Sequence, residues 1–370
     1  MERPTVYTIA EQCGVSHATV SMALRNSPLV AEKTRERIQR VANEVGYRPN
    51  RLAMSLKSGA SKVIGFVIPS FTYPYYSLLA EYVFREAARQ GYQVQFVLSG
   101  SDQEQESSAI TECLDAQVDG LIVRSVIRSK EEIPENHALQ TVLKRKFPCV
   151  MGNNLLGFPG VSLDHHQASK LAVEHLLEQG YEEIRLLQLG RPRKENSKAG
   201  LAPAAEQSAK GFREALEESG AEYDPSMLVF RDVARSKLQV ARDQEKAVRY
   251  VEYEQYGTYG EEMMEQVLAE AKGKRLGIVF GHDQMACAAW RYCMNQGIRV
   301  PETVGIVGRG NVSTYMLPLT TIGWDYEAQA KALVSVLLKQ INSPGEPESC
   351  QIKPYLAVRG STAPAAPSGN

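Results

Sequence analysis

The stretch Thr8 to Leu24 (TIAEQCGVSHATVSMAL) limits the fold more than any other part of the chain. Ile9, Ala10 and Cys13 make one apolar helical face, and Gly14 stands where a helix can end on a left-handed residue. Val15 falls in the turn. Ser16 is placed to accept hydrogen bonds from the first free N–H groups of a second helix, whose buried side is Val20, Ala23 and Leu24. Ala10 matters because two helices crossing near a right angle need a small residue at the contact. This is the pattern of a helix-turn-helix. On a helix starting at Ser16 the outward residues are His17, Ala18, Ser21 and Met22, which would meet base edges in a DNA major groove. An ordinary helical hairpin in a core is the plainer alternative for this stretch taken alone.

Asn26-Ser27-Pro28 then breaks the pattern, and Ala31 to Val45 restarts it with Ile38, Val41, Ala42 and Val45 at helical spacing, ending at Gly46-Tyr47. A three-helix domain over 1–47 is expected. Lys33, Arg35, Arg37 and Arg40 crowd the polar side of the third helix, either as a solvated face or as phosphate contacts. Residues 48–61 hold a short helix-capable segment between Pro49 and Gly59, too short to be stable in water alone. We expect it to order only with DNA or a partner chain.

From Lys62 the pattern changes to strands alternating with helices. VIGFVIPS (63–70) is a near-continuous apolar run, as for a parallel strand covered on both faces. Strand–helix units recur through QVQFVLSG, VDGLIVRS, FPCVMGNN, VSLDHHQASKLAVEHLLEQGY, IRLLQLG, LGIVFGHD, VGIVGRG and TTIGWDY. Such alternation means doubly wound α/β units with parallel sheets, here enough for two lobes. The expected body is 62–360, with one lobe near 62–157 and 292–323 and the other near 158–291 and 324–360. Residues 233–256 fit poorly and read as an extra charged, tyrosine-bearing helix or loop. The tail 361–370 is low in complexity and expected to be disordered.

Charge is unevenly distributed. Residues 1–62 carry ten Lys/Arg against five Asp/Glu, and since the whole chain is at −1 the remainder is at −6. A basic head on a mildly acidic body suits phosphate contacts made by the head. No signal-peptide pattern opens the sequence and no apolar run reaches a membrane span, so a cytoplasmic protein is expected. The cysteines 13, 113, 149, 287, 293 and 350 lack CxxC spacing, and Cys287 and Cys293 read as buried free thiols. His165, His166, His282 and Asp164 are the residue types that could serve as metal ligands or a catalytic base. Adjacent His165 and His166 point different ways in most backbone conformations, and no HExxH, GxSxG or Walker pattern is present. No metal, cofactor or catalysis is expected.

Taken together, IAEQCGVSHATVSMALRNSPLVAEKTRERIQRVANEVGYRPNRLAMSLKSG, VDGLIV, HDQMACAAWRYCMNQGIRVPETVGIVG and PLTTI resemble the lactose-repressor family of bacterial transcription regulators. The resemblance runs over nearly the whole chain. It implies a homodimer on a palindromic operator, a body like the periplasmic sugar-binding proteins, and an effector between the lobes, a sugar or sugar derivative. The alternative is a two-lobed binding protein or sensor with lost or altered DNA binding. Carried over by position, His17, Ala18 and Met22 fall where members read bases, and Thr19 and Ser21 where hydroxyls contact phosphates. Thr8, Ser16, Asn26, Arg51 and Lys57 join the DNA-binding set. Leu56 matches the leucine wedged into the minor groove, or else packs on its dimer mate.

For the effector, the resemblance points to Ser70, Tyr75, Tyr76, Asn153 and Asp283, with the rings either stacking on ligand or packing the lobes together. Two departures stand out. An arginine of the family is Ser208 here, and the usual GFDD turn is Gly308-Arg309-Gly310-Asn311. Arg191, Arg193 and Lys194 are expected to supply positive charge in its place.

Overall fold

In the computed structural model the described residues are 4–48, 59–100, 102–127, 132–153, 158–189, 203–231, 248–271, 273–312, 317–343 and 349–362. Arg51, Leu56, Lys57, Arg191, Arg193 and Lys194 lie outside them, as do 363–370 and the first part of the 233–256 segment. The chain forms two compact units, residues 1–61 and 62–370.

The first unit holds α1 (Val6–Cys13), α2 (His17–Leu24) and α3 (Glu32–Glu44). Ile9, Ala10, Cys13, Val20, Ala23, Val30, Ile38 and Ala42 make its core. Each larger aliphatic side chain removed from water there contributes roughly 1.5–3 kcal/mol. Gly14 ends α1 at φ 59°, and its N–H returns to the carbonyls of Ala10 and Glu11. The Arg37 guanidinium donates to the Cys13 carbonyl at 2.7 Å, placing a cation at the negative end of α1 and tying α3 to it.

The second unit contains two main sheets. β1 (Val63–Ile68), β2 (Gln93–Leu98), β3 (Gly120–Val123) and β4 (Cys149–Met151) pair in parallel in the order β2-β1-β3-β4. Around them pack α4 (Pro74–Arg89), α5 (Gln103–Asp115), α6 (Ala138–Arg145) and a late helix at Tyr326–Asn342. The second sheet holds β6 (Glu183–Leu189), β7 (Leu228–Arg231), β8 (Leu276–Phe280), β9 (Val304–Arg309), β10 (Thr320–Trp324) and β12 (Pro354–Ala357), in the order β12-β10-β9-β8-β6-β7. All of its pairs are parallel except β10 with β12.

Helices α7 (His165–Glu178) and α8 (Pro203–Glu218) pack together on one side of this sheet, and α9 (Val248–Glu270) and α10 (Asp283–Asn295) on the other. The α7–α8 crossing is close because Gly211 has no side chain; a Cβ there would sit 2.1 Å from the His166 carbonyl oxygen. The helix at Tyr326–Asn342 is α11. Strands β5 (Val161–Leu163) and β11 (Cys350–Ile352) form a separate parallel ribbon.

The lobe boundaries differ from the expected ones. Strands β9 and β10, expected with the first lobe, belong to the second sheet, while α11, expected with the second, packs on α4, β3 and β4 of the first. β9 continues the parallel ladder from β8, and the chain returns to the first sheet only after β10. Of the segment read as an extra helix or loop, residues 248–256 are helical and begin the 23-residue helix α9. Two residues of the expected tail are described: Ser361 and Thr362 are fully buried, the former giving its hydroxyl hydrogen to the Ile306 carbonyl, the latter bonded to the Thr320 hydroxyl at 2.8 Å and to His175.

Each sheet has a point where the winding reverses, between β1 and β3 in one and between β6 and β8 in the other. Crevices open at the carboxyl ends of strands at such points. The loops there carry Ser70, Tyr73 and Arg124 from the first sheet and His282 from the second.

Candidate functional sites in the head and between the sheets

At the start of α2, Ser16 lies in extended backbone and its hydroxyl accepts the Thr19 N–H at 3.1 Å, as its spacing predicts. The Ser16 and Thr19 hydroxyls are 2.9 Å apart. His17 and Ala18 are exposed, and Thr19 and Ser21 are half-buried. The His17 ring rests against Tyr7 of α1 with centroids 5.3 Å apart. Tyr7 is 66% exposed and is an outward residue that sequence reasoning missed; its apolar bulk next to the capped turn was the available signal.

Met22, expected on the outward face, is half-buried, as are Thr19 and Ser21, and packs in part against the head core. Asn26 sits at φ 57°, with its amide oxygen accepting from Gln39 of α3 at 2.8 Å. The Thr8 hydroxyl accepts the Thr5 N–H at 3.2 Å, closing the cap of α1. Thr8 and Asn26 therefore brace the head.

In the second unit the rings of Tyr73, Tyr76, Tyr256 and His282 meet between the two sheets. Tyr73 stacks on Tyr256 at 5.9 Å and 17°, meets His282 edge-on at 5.4 Å, and lies 5.5 Å from Tyr76. The Tyr73 hydroxyl is 2.8 Å from Nδ1 of His282. Burial and the nearby Arg309 charge push the His282 imidazole down to about 4, so it is neutral at pH 7. His165, at the start of α7, packs edge-on to Trp324 at 5.3 Å. It is also held well below the usual histidine range, by burial first and then by Arg309, Arg124 and His282.

The expected effector residues divide. Tyr75 is buried, takes an N–H from Gln329 at 3.0 Å and lies 5.4 Å from Tyr326, so it packs the interior. Tyr76 is half-buried beneath Arg124. The Ser70 hydroxyl is 2.7 Å from that of Thr72, which shapes the loop after β1. Asn153 donates to the Ser125 carbonyl at 3.0 Å, and its Oδ1 has no partner among the described residues. Asp283 is fully buried, with Oδ1 accepting from the Thr321 hydroxyl at 2.6 Å and Oδ2 from the Val312 N–H at 2.7 Å. Its carboxylate therefore holds the 308–312 turn.

Positive charge reaches this region from residues other than 191, 193 and 194. The Arg309 guanidinium, at the end of β9 and 5% exposed, donates to Ser208 at 2.6 Å and to Ser169 at 2.9 Å. Arg124, at the end of β3, donates to the Gly152 carbonyl and lies 5.5 Å from the Tyr75 ring. Neither guanidinium has a carboxylate partner among the described residues. An uncompensated buried charge carries an effective desolvation cost on the order of several kcal/mol.

His166 pairs at 2.6 Å with Glu214 and so leaves His165 alone of the two facing inward. All six cysteines are free; Cys287 is half-buried, not buried as expected, while Cys293 is fully buried. Among the described residues no group of three His, Cys, Asp or Glu is placed to hold a metal ion, and no helix is long and apolar enough to cross a membrane.

A capped helix-turn-helix and a two-sheet α/β body whose sheets meet at their switch-point loops define a DNA-binding regulator with a ligand-binding body. Residues 5–50 match the family model for bacterial regulatory proteins of the lacI family. Residues 61–243 match that for periplasmic binding proteins and the sugar binding domain of the LacI family, and 173–362 the periplasmic binding protein-like domain. The chain belongs to the lacI family of bacterial transcription regulators.

It is 28% identical over 373 residues to the transcriptional repressor CytR of Escherichia coli (strain K12), covering 97% of this chain and 96% of that one. It is 26% identical to the transcriptional regulator DegA of Bacillus subtilis (strain 168) and 28% identical to catabolite control protein A of Priestia megaterium, with 86% of each chain covered in both. Among solved structures, the lac repressor dimer bound to operator and the anti-inducer ONPF superposes with TM-score 0.77 at 22% identity, covering 98% of this chain and 99% of that one. The CelR–cellobiose complex superposes with TM-score 0.64 at 23% identity, covering 97% of this chain and all of the other.

Proposed function

We propose that the chain is a cytoplasmic, non-catalytic homodimeric repressor that binds a palindromic operator and is controlled by a small molecule, a sugar or sugar derivative, held between the two sheets. The observation that carries this reading is the N-terminal turn of α2: it is capped by Ser16 and leaves His17 and Ala18 exposed beside Tyr7. That is the part of a recognition helix which reaches base edges. His17 is assigned to base reading, and the hydroxyls of Ser16, Thr19 and Ser21 to phosphates. Arg51, Leu56 and Lys57 are assigned to the operator centre on sequence position alone.

Two further features support the reading. The solved structures of relatives include the lac repressor with operator and CelR with cellobiose, both at the same fold. Phe71, Phe84 and Leu98, on or beside α4 and β2, are between 42% and 53% exposed, which suits coverage by a second copy. Fragments of the source genome recovered on the purified chain test the proposal. A two-fold symmetric footprint, a dimer by light scattering and release by a metabolite are expected. An asymmetric footprint on a monomer would contradict it.

A further inference from the structure

We infer that the ligand held between the sheets is an anion, a monosaccharide bearing a phosphate or a carboxylate, with Arg309 and Arg124 as its charge partners. This rests on the effector reading above and names the class of ligand at that same place. Arg309 ends β9, and its two terminal nitrogens are fixed by uncharged hydroxyls, Ser208 of α8 and Ser169 of α7. Its Nε is buried and without a partner. Arg124 ends β3, is anchored on a backbone carbonyl, and its buried Nε is likewise without a partner. Hydroxyls and a carbonyl orient a guanidinium but do not neutralise it.

The polar atoms left over around them are of one kind. Trp324 Nε1 is a buried donor without a partner, and His165 Nδ1, which lies against Trp324, is unpartnered as well. His165 and Ser169 are one turn apart on the same face of α7, so the face that holds Arg309 also presents His165. Asp283, next to His282, is fully buried and engaged by Thr321 and Val312. Arg124 reaches the same cluster through the rings: it lies 5.7 Å from Tyr76, which is 5.5 Å from Tyr73, and Tyr73 meets His282 at 5.4 Å. With both nearby imidazoles neutral, the charges of the region are the two guanidiniums and the Asp283 carboxylate, which leaves it net positive.

Guanidinium is suited to paired acceptance by phosphate or carboxylate oxygens, while tyrosine rings such as Tyr73 and Tyr256 suit the apolar face of a sugar. A neutral sugar would leave this excess of positive charge in place; an acidic one offsets it.

The full-length protein is titrated at constant ionic strength with glucose, glucose 6-phosphate, glucuronate, ribose, ribose 5-phosphate and inorganic phosphate, following Tm and heat of binding. At least one anionic probe is expected to raise Tm where its neutral parent does not, with the phosphate and glucuronate arms distinguishing ester from acid. Arg309→Met is expected to weaken that binding by about tenfold or more, Arg309→Lys by less, and ligand-free Arg309→Met to melt no lower than wild type. Binding of glucose or ribose that Arg309→Met leaves unchanged overturns the anion assignment while the effector reading stands. Failure of every anionic probe to bind also overturns it. A clear fall in Tm of ligand-free Arg309→Met would assign Arg309 to structure alone and overturn it too.

Discussion

The Tyr73 hydroxyl and Nδ1 of His282 stand 2.8 Å apart, and this contact joins the loop after β1 to the loop after β8, one from each sheet of the second unit. Tyr73 caps no N–H of α4 with its side chain, so its ring is free to serve the junction. A neutral hydrogen bond of this kind contributes about 0.5–1.5 kcal/mol, enough to bias but not to lock an arrangement of two lobes. Tyr73→Phe keeps the ring stacking on Tyr256 and removes the bond. We expect a larger radius of gyration by small-angle scattering without ligand, and an effector affinity altered by roughly two- to tenfold. An unchanged scattering curve and affinity would remove Tyr73 from the closure.

The neutral histidines give a pH dependence of known sign. His282 is lowered in the folded chain to about 4, so the unfolded chain takes up the proton first as pH falls. Stability from this group is present above its ordinary value near 6.5 and is lost as pH falls from there toward 4. Between pH 7 and pH 5 the loss from His282 alone is about 2 kcal/mol, and His165 adds in the same direction. Denaturant melts at the two pH values measure it, with His282→Gln expected to flatten the slope. A steeper slope in that variant would assign the dependence elsewhere.

Ser16→Ala removes the acceptor of the Thr19 N–H and should destabilise the head by about 1 kcal/mol. Hydrogen exchange of the α2 amides reads this directly. Ser16→Asp, which keeps an acceptor, should restore protection; equal exchange in the wild type and Ser16→Ala would show that the cap is idle.

Gly308 is required by close approach: a Cβ there would fall 2.4 Å from Oδ1 of Asp283 and 2.7 Å from Leu319. Gly308→Ala should therefore cost about 1–3 kcal/mol and loosen the 308–312 turn that carries Arg309. Thermal melts check this, and a melting temperature equal to wild type would mean that Asp283 is not held as described.

Local features of the head could be read from sequence because each depends on neighbours within a few residues. Gly14 and Ser16 took their expected conformations, and Ile9, Val20 and Ile38 their buried places. The partial packing of Met22 on the head core was not legible, because how far a side chain on an eight-residue helix is covered does not follow from spacing alone. The two sheets were foreseen, but β9, β10 and α11 were assigned to the wrong ones, since strand runs do not say which ladder a crossover rejoins. Composition does not show that Ser361 and Thr362 are held, since their bonds go to Ile306, Thr320 and His175, all distant in sequence. The same non-locality hid the cation between the sheets. Ser208 reads as a lost arginine, while the guanidinium that reaches it comes from Arg309, 101 residues on.

Selection of randomised duplex DNA on the purified full-length chain, at a fixed and stated salt concentration, tests the central claim most directly. An enriched two-fold symmetric site of about 14–20 base pairs is predicted, matching two recognition helices about one helical turn apart. His17→Ala should relax preference at one pair per half-site by ~1–3 kcal/mol. Enrichment of no symmetric site, or a site whose preferences His17→Ala leaves intact, would contradict the assignment of α2 as the reading helix.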